Sequence, residues 1–465
     1  MERAARRRRV ASADRLRTGE IPRTKDYRRD GRMRINFRST MVALLAVTLA
    51  CVLSVGAMGA KAPVTLSFWP SSNPQEIEFA KIIVKAWNDA HPDIQVKMEP
   101  LPASRSTEEV LLAAIAAGTT PDICANIYPG AISQYIAGKG LYPHDTLPGF
   151  YDFIYARTPK DVVDAFTYKD GHVYQIPWKG NPIMLAYNVK LLRANGIDPK
   201  SLATYSGFLA AAERMVKDLD GDGRPDQWLY APTVDVTWWQ RLFDFYTLYI
   251  GASGGKTLLS GGKVDFENDA AEQVFAFLQT IFKKGLCPKG AMIGDAFLSG
   301  KIGSTITGPW SVPYYDQNAP EGFEYDFVPI PVPDGVQGPV ITFGDPKNIG
   351  IFANSKHPLE AWEFVKFIMS RENDLLWLKI TSQPPYRRGI AKDPLFVGYF
   401  EKNPMMATFV EQGVYTRGVD DSKYLIEIFD TISKQYDLCC VQGRKAPKAA
   451  VRDAAQAVRD ILAGW

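Results

Sequence analysis

Between Val64 and Ile123 the chain switches repeatedly between two apolar periods, and this constrains its fold more than any other feature. Val64-Thr65-Leu66-Ser67-Phe68-Trp69 alternates as a half-buried strand does, and Pro70-Ser71-Ser72-Asn73-Pro74 stops it. Ile77, Ala80, Ile83, Val84 and Trp87 then recur at helical spacing, and Ile94 to Met98 reads as a second strand. Thr107 to Ala117 reads as a helix with a hydroxyl cap at its start and Gly118 at its stop, ahead of a Thr-Pro-Asp-Ile strand. Strand, helix, strand, helix in this rhythm predicts an α/β fold with a mostly parallel sheet, whose ligands bind at the carboxyl ends of the strands. That places Trp69, Ser71, Ser72 and Asn126 at one rim. Ser71 and Ser72 equally suit a helix cap, and Asn126 a turn.

Ahead of this region, residues 1–32 hold 12 Lys/Arg against 5 Asp/Glu and almost no apolar residues, so they cannot pack a core. They are read as a basic unstructured extension upstream of a better start at Met33. Arg34 and Arg38, the apolar run Met41 to Val55 and the small residues Gly56 to Ala60 give residues 33–60 the order of a cleaved signal peptide. Two other readings stay open: a lipoprotein anchor at Cys51, and an uncleaved span of the roughly 20 residues a membrane helix needs. Removing residues 1–60 takes away 14 basic and 5 acidic residues and turns a net charge of +3 into −6. The mature chain therefore gives no compositional reason to expect nucleic-acid binding. Its cysteines, Cys124, Cys287, Cys439 and Cys440, include an adjacent pair, which is no scaffold spacing, so buried thiols are expected.

Three later segments carry possible chemistry. Asp218, Asp220, Asp222 and Asp226 occupy positions 1, 3, 5 and 9 of a calcium loop with glycine at position 6. Position 12 is Leu229 where a bidentate glutamate belongs, so a solvated Asp-Gly turn with at most weak calcium binding is expected, and no other cofactor. Thr237-Trp238-Trp239-Gln240 opens an aromatic-dense helix whose first turn can reach a cleft. Gly251-Ala252-Ser253-Gly254-Gly255 matches the serine-hydrolase pattern Gly-x-Ser-x-Gly, but it follows a helix where that pattern requires a strand.

Ala296 to Trp310 reads as the end of an apolar helical face, a Gly300-Lys301 turn, a short alternating strand and a Gly308-Pro309 corner that presents Trp310. A tryptophan held by such a corner offers a flat apolar face with an N–H at its edge, which suits a sugar ring; a core aromatic beside a turn is the plainer reading. The pattern Phe-x-x-Gly-Lys followed by Gly-Pro-Trp resembles the family 1 extracellular solute-binding proteins of bacterial carbohydrate ABC importers, to which maltose-binding protein belongs. Ala113 to Ile123, Tyr174 to Pro199 and Gly344 to Arg371 resemble further segments of that family in the same order.

The resemblance implies a two-lobed periplasmic binding protein fold with a three-strand hinge and the ligand in the cleft. Lobe one would comprise residues 62–175 and 332–372, and lobe two residues 176–331 and 373–465, with Pro329 to Pro333 as the second crossing. It puts Trp178 and Lys179 near the cleft and Arg387 on a ligand-side loop. Asp345, after the Gly344 turn, would accept hydroxyl hydrogens, while Lys179 and Arg387 would donate. The function implied is a non-enzymatic, exported, monomeric protein that captures a carbohydrate and delivers it to the transmembrane subunits of an ABC permease, outside the cytoplasm. Two alternatives are an exported glycoside hydrolase, which needs two carboxylates set across a cleft, and a binder of a phosphorylated polyol, for which the two cations leave room.

Overall fold

The computed structural model describes residues 62–418 and 420–464. The expected extension, the expected signal peptide and Cys51 lie outside the described residues.

The first sheet has five strands, in the order Ile94–Met98, Val64–Trp69, Ile123–Ile127, Lys347–Ile351 and Ile176–Lys179. Val64–Trp69 pairs in parallel with both neighbours, and only Lys347–Ile351 runs against the rest. A mostly parallel sheet needs cover on its faces. Helix Pro74–Ala90 supplies it with Phe79, Ala80, Ile83, Val84 and Trp87, and helix Pro358–Ile368 with Trp362, Phe364 and Val365. Asn73 caps the former by accepting from the Gln75 and Glu76 amides, so the Ser71 and Ser72 hydroxyls are not that cap.

The second sheet departs from the parallel expectation. Its strands run in the order Ser304–Thr307, Met184–Asn188, Tyr325–Val328, both outer strands antiparallel to the centre. The outer pair is joined by a crossover through helix Ser311–Asn318, and the strand between them comes earlier in the chain and runs the opposite way. The aromatic stretch expected as one helix is a π-helical turn, Leu242–Tyr246, followed by helix Thr247–Ala252.

Three crossings lie side by side. The Gly180 amide donates to Pro384 O at 3.1 Å, and the Asn181 amide to Gly344 O at 3.0 Å. The first sheet thus holds the chain through Lys179, past the expected boundary at 175. Pro329 to Pro333 is not a crossing: Ile330 and Val332 are buried, and Val332 exchanges hydrogen bonds with Ala203 and Tyr205 of the second lobe. The return passes instead through Gly344 to Pro346. Helix Arg371–Thr381 packs Trp377 on Phe79 and Trp178, so the first lobe also continues beyond residue 372. All four cysteines among the described residues are buried free thiols. No described helix is long and apolar enough to cross a membrane.

Candidate functional site

A cleft of about 590 Å³ opens where the crossings meet. One wall is aromatic. Trp238 and Trp239 enter it just before the π-helical turn, and Phe243 from within that turn. A π-turn rotates successive side chains off the ordinary helical stripe and recurs at functional sites. Trp310 completes the wall from the Gly308-Pro309 corner, edge-on to Phe243 with ring centroids 5.9 Å apart. Trp310 and Phe243 are half-buried and Trp239 is exposed, so these rings keep free faces. Trp238 is buried and donates through Nε1 to Glu109 at 3.3 Å.

The floor is polar and charged. Lys179 Nζ lies 2.6 Å from Glu76 Oε1, both groups buried, and Gln383 Nε2 donates to the same oxygen at 2.8 Å. Asn181 Nδ2 donates to Gln383 Oε1 at 3.1 Å. Lys347 Nζ sits 3.2 Å from Asp345 Oδ1 and 3.9 Å from Glu108 Oε1, over the Tyr128 ring. Burial lowers the Lys179 pKa against the pull of Glu76. For Lys347 burial also works downward, yet Asp345 and Glu108 leave its pKa raised. Burial raises that of Glu108. The buried Lys179 ammonium and the partly buried Lys347 ammonium thus each have a carboxylate beside them, the condition under which buried charge is tolerated.

The structure brings together Ser71, Ser72, Asn126, Lys179, Trp238, Trp239, Trp310 and Asp345 on this cleft. It does not bring Trp69, Trp178 or Arg387 there. Trp178 is buried and packs in the core against Trp377, at 4.2 Å between rings, and the Lys179 ammonium lies 5.0 Å from its ring centroid, so the indole sits beneath the charged floor and does not line the cleft. Trp69 is half-buried against the core. Arg387 is drawn away by Asp374, whose Oδ2 accepts from its Nε at 2.8 Å. Sequence reasoning passed over Glu76, Asn181, Lys347 and Gln383. Glu76 looks like an ordinary first-turn helix carboxylate, and nothing local distinguishes it from one.

Asp218, Asp220 and Asp222 group their carboxylates on an exposed loop. Asp218 accepts from the Gly221 and Gly223 amides and Asp226 from the Leu219 amide, while Leu229 is fully buried. Ser253 follows the end of helix Thr247–Ala252, where its hydroxyl accepts from the Lys256 amide, a helix-end turn and not a strand-to-helix elbow.

A model of the bacterial extracellular solute-binding proteins matches residues 83–408. An uncharacterized ABC transporter extracellular-binding protein of Pyrococcus horikoshii is 22% identical over 361 residues, 74% of this chain and 74% of that one. Among solved structures, an uncharacterized protein from Listeria monocytogenes superposes with a TM-score of 0.69 at 27% identity, over 86% of this chain and 100% of that one. The cyclic alpha-maltosyl-1,6-maltose binding protein from Arthrobacter globiformis gives 0.70 at 20% identity, over 87% and 100%. With most of its length matched and the two-lobed fold in place, the chain belongs to the bacterial extracellular solute-binding protein family.

Proposed function

We propose that the protein captures a carbohydrate in the cleft and delivers it, outside the cytoplasm and as a monomer, to the transmembrane subunits of an ABC importer. The observation that carries this reading is the pairing of an aromatic wall, Trp238, Trp239, Phe243 and Trp310, with a floor of charged and amide groups in one cleft. A pyranose presents C–H faces to rings and hydroxyls to polar groups, so both surfaces act on it at once. The volume falls in the range of small-molecule sites. The Arthrobacter globiformis neighbour, described as a sugar-binding protein, supports the same class.

A glycoside hydrolase needs one carboxylate ready to protonate a leaving group. Glu76, Glu108 and Asp345 each lie within 4 Å of a lysine ammonium, which favours binding over turnover. Calorimetry with a panel of neutral oligosaccharides and peptides, followed by product analysis of the same mixtures, tests the reading. Saturable binding of a sugar without turnover is expected; preference for peptides, or hydrolysis, contradicts it.

A further inference from the structure

Behind the aromatic wall lies a buried ion pair whose members do not line the cleft. Arg241 and Asp244 are buried in and just before the π-helical turn, while Trp238, Trp239 and Phe243 of the same stretch face the cleft. Arg241 Nη2 lies 2.9 Å from Asp244 Oδ2 and donates to the carbonyl of Asp235 at 3.0 Å. The guanidinium stacks on the Tyr436 ring, 3.7 Å from its centroid, and the Tyr436 hydroxyl donates to the carbonyl of Thr233 at 3.0 Å. Two buried side chains therefore hold the loop 233–235. Asp235 in turn accepts from the amide and the hydroxyl of Thr237, at 2.8 and 2.6 Å, and so fixes the turn that carries Trp238 and Trp239.

Asp244 acts on the other half of the wall. Its Oδ1 accepts from the Phe245 amide, which in an ordinary α-helix would donate to the Arg241 carbonyl, four residues back. Leu242 O takes both the amide and the hydroxyl of Thr247, five residues on, the hydroxyl at 2.7 Å. The carboxylate and the threonine thus supply partners where the ladder widens, and Phe243 lies within the widened turn, edge-on to Trp310. For a buried pair it adds little stability. Arg241 Nε and Nη1 have no hydrogen-bond partner among the described residues, the contact at Asp244 Oδ2 is not aligned as a hydrogen bond, and burial pushes the Asp244 pKa up to about 6 in spite of the guanidinium. Apolar residues of similar volume often replace such a pair with no loss of stability.

Resting on the carbohydrate reading, we infer that Arg241 and Asp244 are positioning residues of the sugar site: the buried pair holds the loop before Trp238 and the π-turn around Phe243 so that their rings stand in one wall with Trp310. Neither residue touches the sugar; both act through the rings. Without the pair the turn would relax to an ordinary α-helix, which rotates residues on one side of it by about 100° relative to those on the other. Stacking does not survive such a change, since a radial gap of about 1 Å already forfeits up to about half of a dispersion contact.

The test sets an affinity beside a stability. Calorimetry with maltotriose, cellotriose and raffinose as probes, and a melting curve without them, are taken on the intact protein and on Arg241→Met/Asp244→Val, which replaces the pair by apolar side chains of similar total volume. The double variant should melt near or above the parent and bind the probe about tenfold more weakly or worse. A merely structural pair would give the opposite, a lower melting temperature with affinity kept, and that result overturns the inference. Phe243→Ala should weaken binding about tenfold in the parent and less than about threefold in the double variant, whose ring has already left the wall. Where the double variant does not fold, Asp244→Asn carries the comparison: it keeps an oxygen for the Phe245 amide, sets an N–H against Arg241 Nη2, and should show the same loss of affinity. Parental affinity in the variant that folds, or equal Phe243→Ala losses in both backgrounds, overturns the inference and leaves the carbohydrate reading standing. Failure of every probe to bind the parent counts against that reading instead. The crystal structure of the double variant then decides the inference, with Phe243 displaced from Trp310 expected and an unmoved wall overturning it.

Discussion

A Cβ atom built on Gly308 would lie 2.1 Å from the ring of Trp310, far inside contact distance. Glycine at this corner is required by the indole folded back over it, and the ring's position in the cleft depends on that vacancy. Gly308→Ala should therefore swing Trp310 off the aromatic wall and weaken sugar binding by about tenfold or more, roughly 1.4 kcal/mol, with a smaller effect on thermal stability. Isothermal titration beside a melting curve separates the two. Unchanged affinity would show that the corner does not set the ring.

Asp374 is the anchor of the hinge. Its Oδ1 and Oδ2 accept from Arg157 at 2.9 Å each, and Oδ2 also accepts from Arg387. Arg157 in turn donates to the carbonyls of Pro177, Trp178 and Tyr386, tying the first crossing to the third. Asp374→Ala would leave a guanidinium buried without its carboxylate, so a loss of about 3–5 kcal/mol is expected. Urea denaturation measures it; a loss below about 1 kcal/mol would mean the arginines find other partners.

His144 is fully buried, and its ring is neutral by construction: Nε2 accepts from the Ile351 amide at 2.8 Å, while Nδ1 faces Val173 O at 3.1 Å. Burial pushes its pKa down to about 4, against roughly 6.5 in an unfolded chain. A depressed folded pKa means that the stabilisation is complete above about pH 6.5 and is lost as pH falls toward 4. The parent should lose about 3 kcal/mol more than His144→Gln across that window. Denaturation midpoints at pH 7 and pH 4 for both proteins check this, and parallel profiles would contradict it.

For the Asp-rich loop we expect calcium to bind weakly at best. Asp218 and Asp226 already accept backbone amides, and the buried Leu229 offers no oxygen at position 12. Calorimetry with calcium should give a dissociation constant near the millimolar end of the scale. Tight binding that Asp220→Ala abolishes would overturn this.

The local parts of the fold were legible because local patterns determine them. The alternation in Val64–Trp69, the helical spacing through Trp87 and the Gly-Pro corner before Trp310 each need only a few neighbouring residues. The floor of the cleft was not legible. Glu76 meets Lys179 across 103 positions and Gln383 across 307, and no local period records such a pairing. Trp178 and Lys179 make the point together: the resemblance put both near a ligand, but only Lys179 lines the cleft, while the Trp178 ring is buried against Trp377. The second crossing was misplaced for a related reason: prolines 329 to 333 do impose extended chain, but extended chain also serves to pack Ile330 and Val332 under the second lobe.

If the aromatic wall holds a sugar, the dissociation constant of the best-bound neutral oligosaccharide should differ between the parent and Trp310→Ala, with the melting temperature of each ligand-free protein as the control for folding. Trp310 is half-buried at the cleft, so its loss should spare the fold and remove one stacking face, weakening binding tenfold or more, about 1.4 kcal/mol or greater. Equal affinities in two proteins that melt at the same temperature would show that Trp310 does not hold the sugar.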